Sequence, residues 1–146
     1  MANTLVSVDW LLEHLDDSNV IVLDASYHLP TAKRDPDAEF VKQHIPGALR
    51  FDIDEISDHD AGLPHMLPTA DQFDEAMQDL GVGAGMQVIV YDSLGLFSAA
   101  RAWWMFRYFG HDDVAILDGG LPAWINAGQT VESGRGRVIP PPYPFK

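Results

Sequence analysis

Apolar and polar residues alternate along this chain in blocks whose spacing switches between helical and strand-like. Ser7 precedes Val8, Leu11, Leu12 and Leu15, which recur at helical intervals, so a capped amphipathic helix is expected there. Val20-Ile21-Val22-Leu23 is a continuous apolar run ending at Asp24. Such a run predicts a strand buried on both faces. His28 to Pro36 reads as a polar loop and Ala38 to Gln43 as a short helical piece. Ile45-Pro46-Gly47-Ala48 then reads as a turn feeding a brief strand near Leu49 to Asp52.

Ser57 to Leu67 has the composition of a long loop. Thr69 with Gln72 spells a capping box, Phe73, Met77 and Leu80 continue one apolar helical face, and Gly81 is placed to stop it. Val88-Ile89-Val90-Tyr91 is the clearest strand. After Asp92 and a short loop, Ser98 to Phe109 forms a strongly apolar helix, followed by a strand over Val114 to Leu117 and a helix over Leu121 to Ala127. Strands alternating with helices imply an α/β fold, a mainly parallel sheet with helices on both faces. Ligands in such folds gather at the carboxyl ends of strands, so the loop after Val88–Tyr91 is the place to look for chemistry. Four prolines between Val138 and Lys146 give the look of an extended linker, so residues 1–137 are expected to form the domain and 138–146 the start of a linker.

The chain has 146 residues, the usual size of one domain, and its 47% hydrophobic and 21% charged residues are ordinary for a soluble protein. No apolar run approaches the ~20 residues needed to cross a bilayer. Met1 to Asp9 lacks the basic start and apolar stretch of a secretory signal. A cytoplasmic protein is the expectation. The net charge of −13, with only nine Lys and Arg, argues against nucleic acid and anionic membranes as partners. There is no cysteine, which excludes disulfides, thiolate metal sites and a cysteine nucleophile within these residues. The histidines lack metal-ligand spacing, so no metal is expected. Gly81, Gly83 and Gly85 precede a strand rather than follow one, the wrong side for a dinucleotide loop.

Two signatures resemble the rhodanese family. One is His44-Ile45-Pro46-Gly47-Ala48; the other is Val114-Ala115-Ile116-Leu117-Asp118-Gly119-Gly120, closed by Trp124. As residues they are turn punctuation and packing surface, and they speak to fold rather than chemistry. In active rhodanese domains a Cys follows the fourth strand and opens a loop that cradles its persulfide. The resemblance puts Asp92 at that position, and a carboxylate cannot form or pass on a persulfide. A narrower resemblance lies in Phe97 to Arg107, in Phe51-Asp52-Ile53-Asp54 and in His65-Met66-Leu67-Pro68. These are similar to the non-catalytic amino-terminal domain of tandem-rhodanese thiosulfate and 3-mercaptopyruvate sulfurtransferases. That likeness implies a second rhodanese domain of the same protein as partner, bearing the Cys, and a small sulfur-donor substrate. It implies no cofactor, because the persulfide itself carries the sulfur.

The same resemblance implies that Asp54 and His65 join a Ser of the second domain in a proton relay. The chemistry is sound, since His titrates near neutrality and a carboxylate can fix its tautomer. The rival reading is a solvated loop histidine beside Pro64. Asp92 likewise has two readings, a vestigial position or a cap on the helix that follows it. Two functions stay open. One is the non-catalytic half of a sulfurtransferase; the other is a stand-alone inactive rhodanese domain that binds a protein partner.

Overall fold

The computed structural model describes residues 5–15, 17, 19–26, 35–51, 69–83, 85–93 and 98–134. The elements, in chain order, are β1 (Leu5–Val6), α1 (Val8–His14), β2 (Val20–Asp24), α2 (Pro36–Lys42) and β3 (Leu49–Arg50). Then follow α3 (Ala70–Leu80), β4 (Gln87–Tyr91), α4 (Ala99–Tyr108), β5 (Val114–Leu117) and α5 (Gly120–Asn126). The five strands form one sheet in the order β1-β5-β4-β2-β3, with every pairing parallel. This is the α/β sheet that the alternation of elements predicts.

Period-two alternation divides the core between the two faces of the sheet. Val88 and Val90 of β4 pack with Phe73 and Met77 of α3 and with Met105 and Phe106 of α4. Ile89 and Tyr91 point the other way, into Leu11 of α1, Phe40 of α2 and Trp124 of α5. Both layers are closed by fully buried aromatic rings, among them Phe73, Phe106 and Trp124. The apolar run Val88–Tyr91 is continuous because each of its side chains meets a helix layer.

Local signals explain the boundaries. The Ser7 side chain caps α1 by accepting the Trp10 N–H at 3.0 Å. Thr69 and Gln72 make both halves of the capping box on α3, and Gly81 ends that helix in the left-handed region at φ 82°. Gly119, φ 81°, and Gly120, φ 59°, turn the chain from β5 into α5.

Three expectations are adjusted. Helix α2 begins at Pro36 rather than Ala38, because Asp35 accepts the N–H groups of Asp37 and Ala38 and proline suits the first turn. The strand expected over Leu49 to Asp52 is β3, Leu49–Arg50. Leu12, expected on the apolar face of α1, is 46% exposed, whereas Leu11 is buried. The element without a sequence signal is β1, a two-residue strand paired with β5. The proline-rich stretch from Val138 lies outside the described residues.

Candidate functional site at the carboxyl edge

The strand order places a topological switch between β2 and β4: from β2 the chain steps out to β3, then returns to add β4 on the other side. At a switch point the connections leave in opposite directions and open a crevice at the carboxyl ends of the two strands. The register pairs Asp24 with Tyr91, so Asp24, Ser26, Asp92 and Ser93 converge there. Asp24, Ser26 and Asp92 are almost wholly buried.

These polar groups form a defined network. Asp24 Oδ1 accepts the Ser26 N–H at 2.9 Å and the Ser26 hydroxyl at 2.5 Å. The Ser26 Oγ in turn accepts the Ser93 N–H at 2.9 Å, tying the exit of β2 to that of β4. Asp92 Oδ2 accepts the Ala99 N–H at 2.8 Å, so this carboxylate caps the first turn of α4 from seven residues upstream. Ser98, which precedes α4, makes no side-chain cap and donates instead to the Ala25 carbonyl at 2.7 Å.

Arg50 organises the rim. Its Nη1 donates to the carbonyls of Asp24 and Phe51, each at 2.8 Å, and its Nη2 donates to the Ser26 carbonyl at 2.6 Å. Its Nε donates to Asp37 Oδ1 of α2 at 2.9 Å. One guanidinium thus holds the ends of β2 and β3 against the start of α2. Burial raises the Asp24 carboxyl above its ordinary pKa. The Ser26 hydroxyl and the Arg50 charge pull it back down, and the nearby Asp92 adds to the rise. Burial also raises Tyr91 well above its ordinary value, with the Asp24 charge adding to the effect. The Tyr91 hydroxyl accepts the Ile45 N–H at 3.2 Å, joining β4 to the turn at Ile45-Pro46-Gly47-Ala48.

A cleft of about 440 Å³ opens beside this network between α2 and α5. Asp24, Ser26 and Ser93 form its polar side, Lys42 lies on its α2 side, and Leu121 and Ile125 give it an apolar wall. Leu121 N–H donates to the Asp92 carbonyl at 3.0 Å, so α5 is pinned to the same strand end.

Of the residues singled out from sequence, Asp92 lies at the switch point. Asp54 and His65 lie outside the described residues. His44 is a packed turn residue. It stacks on Phe40 with ring centroids 4.2 Å apart, and its Nδ1 is 2.9 Å from the Phe40 carbonyl. Trp103 packs against the core and donates to the Val114 carbonyl at 3.2 Å, whereas Trp104 is 44% exposed. Sequence reasoning missed Asp24, Ser26, Arg50 and Ser93. The available signal was Asp24 at the end of an apolar strand, a position that takes on chemical meaning once β2 is known to neighbour β4.

Residues 7–127 match the rhodanese-like domain family. The chain is 51% identical over 129 residues to the mitochondrial thiosulfate/3-mercaptopyruvate sulfurtransferase 1 of Arabidopsis thaliana, covering 88% of this chain and 34% of the relative. It is 44% identical to the human 3-mercaptopyruvate sulfurtransferase, covering 96% of this chain and 49% of the relative. The crystal structure of the Escherichia coli 3-mercaptopyruvate sulfotransferase SseA superposes with a TM-score of 0.91 at 42% identity, over 99% of this chain and 56% of that one. The chain therefore spans between about a third and a half of the curated relatives it matches. Among the described residues no helix is long and apolar enough to cross a membrane.

Proposed function

We propose, from the premise that the chain belongs to the rhodanese-like domain family, that it is the non-catalytic amino-terminal half of a two-domain thiosulfate/3-mercaptopyruvate sulfurtransferase. The observation that carries this reading is the carboxylate at the end of β4. Asp92 is 1% exposed and engaged at the start of α4, in a chain without a single cysteine. A sulfurtransferase of this chemistry needs a thiolate that takes sulfur from the donor, releases sulfite or pyruvate, and yields the sulfur to a thiol or cyanide. A carboxylate has no sulfur with which to form that bond. The nucleophile belongs, on this reading, to a second rhodanese domain, and the chain's share of the curated relatives' length leaves room for one.

Residues 1–137 act here as the domain and 138–146 as the start of the connection. Asp54 and His65 are the residues proposed to reach the second domain's centre, His65 moving a proton as sulfur leaves its carbon and Asp54 orienting the imidazole. Support for that pair comes from the resemblance of the segments that carry them. The parent's substrate is then a small sulfur donor, mercaptopyruvate or thiosulfate.

Three measurements test the proposal. This chain alone should transfer no sulfur from either donor, and turnover would overturn the assignment of Asp92. The intact mass of the protein from its source should be near twice the 16.1 kDa of this chain. A mass equal to that of this chain would instead favour a self-standing binding module. In a two-domain parent, His65→Ala should slow mercaptopyruvate turnover more than thiosulfate turnover. Equal, negligible effects would make His65 a solvated loop residue.

A further inference from the structure

The cleft between α2 and α5 has no role in the sulfur-transfer reading, yet Ser93 Oγ on its wall is buried without a partner among the described residues. We propose that it binds a small zwitterion of amino-acid size, an ammonium and a carboxylate carried beside an apolar group. Its volume of about 440 Å³ is within the range of small-molecule sites.

The acidic side of the cleft calls for a donor. Asp24 is 3% exposed and lines the cleft. Its Oδ1 takes both Ser26 donors. A ligand ammonium in the cleft offers this carboxylate a charge-assisted hydrogen bond and the opposite charge. Glu39 of α2 lines the same cleft. Ser93 Oγ, at the end of β4, is buried without a partner among the described residues.

The opposite requirement comes from Lys42, which lines the cleft from the last turn of α2 and makes no ion pair among the described residues. A ligand carboxylate answers it. Leu121, Pro122 and Ile125 of α5 supply an apolar wall for the rest of the molecule. A compact dianion such as phosphate fits poorly, because the Asp24 carboxylate on the cleft wall repels it. An amine alone leaves Lys42 unanswered, and a carboxylate alone leaves Asp24 so.

The electrostatic surroundings add a pH signature. Asp24 feels Arg50 of β3, Asp92 just past β4 and Tyr91 of β4, and Glu39 and Lys42 of α2 line the same cleft. Burial raises its pKa, so an ammonium that favours the ionised form binds more tightly as pH climbs through that raised value.

The proposal is tested on this chain by following backbone amide resonances during titration with L-leucine. Two analogues each lack one charge: 4-methylpentanoate and 3-methylbutylamine. Leucine should give saturable shifts at Ser26, Ser93 and Leu121, with each analogue at least about tenfold weaker. Asp24→Asn should weaken leucine at least about tenfold and abolish the pH dependence, while Lys42→Met weakens it several-fold. Dispersed spectra of both variants establish that the fold survives. Absence of saturable shifts by about 10 mM leucine, a free energy of under ~3 kcal/mol, would overturn the proposal. So would analogues that bind as well as leucine, or an unchanged affinity in Asp24→Asn. None of these outcomes bears on sulfur transfer, which is measured separately.

Discussion

Replacing Gly119 by alanine isolates the turn that sets α5 against the sheet. Gly119 has φ 81°, and a Cβ built there would stand 2.6 Å from the Cβ of Ala123, one turn into α5. The left-handed conformation costs a non-glycine residue about 1–2 kcal/mol. Relieving the overlap adds about 1–3 kcal/mol, since both atoms are on short side chains that can move only with the backbone. The reduced freedom of the unfolded chain returns about 0.4–1 kcal/mol. The net destabilisation is therefore about 1–5 kcal/mol, which at a typical urea dependence of about 2 kcal/mol per M lowers the midpoint by roughly 0.5–2.5 M. Urea unfolding followed by far-UV circular dichroism and tryptophan fluorescence measures it. The double variant Gly119→Ala/Ala123→Gly separates the two causes. It removes the overlap but keeps the backbone strain, and Ala123→Gly alone costs about 1 kcal/mol in a helix interior. A favourable coupling of about 1–3 kcal/mol between the two changes is expected. Strictly additive effects, or a single-variant shift below about 0.3 M urea, would refute the steric argument.

Asp24→Asn should stabilise the domain at neutral pH. Because its folded pKa is raised, the stability linked to Asp24 is full below the unfolded carboxylate value and is lost as pH rises through the folded one. The variant's advantage should therefore be absent in acid and grow with pH, and parallel stability profiles from pH 3 to 8 would contradict it. Thr69→Ala removes one half of the capping box on α3 and should cost about 1 kcal/mol in urea unfolding, with Thr69→Ser close to neutral. Phe73→Ala empties a fully buried position between Phe51, Phe106 and Phe109, and a loss of about 3–5 kcal/mol is expected from the same measurement.

The elements legible in the sequence are those whose signals are local. Ser7 ahead of α1, the Thr69 and Gln72 box, Gly81 and the Gly119-Gly120 turn each act within a few residues, and the structure uses each in that way. The apolar runs of β2, β4 and β5 are equally direct, because burial on both faces leaves no room for a polar side chain. Leu5–Val6 carries no such pattern, and β1 exists through its pairing with β5 at the far end of the domain. The candidate site divides in the same way. Asp92 stands out as the polar residue after the clearest strand. The importance of Asp24, Ser26 and Arg50 comes from the adjacency of β2 to β3 and β4, which no local window contains.

The brevity of the outer strands has a consequence for solubility. A sheet border displays unpaired backbone groups that another chain can extend, and long flat borders invite aggregation. Here the border strands β1 and β3 are two residues each, while the five-residue strands β2 and β4 are interior. At β3 the border is further obstructed by Arg50, whose guanidinium is committed to three carbonyls and a carboxylate. Among the described residues the sheet thus offers little template for cross-chain pairing. The adhesive runs Val20–Leu23 and Val88–Tyr91 become available when the domain opens, so self-association should track unfolding rather than the concentration of native protein.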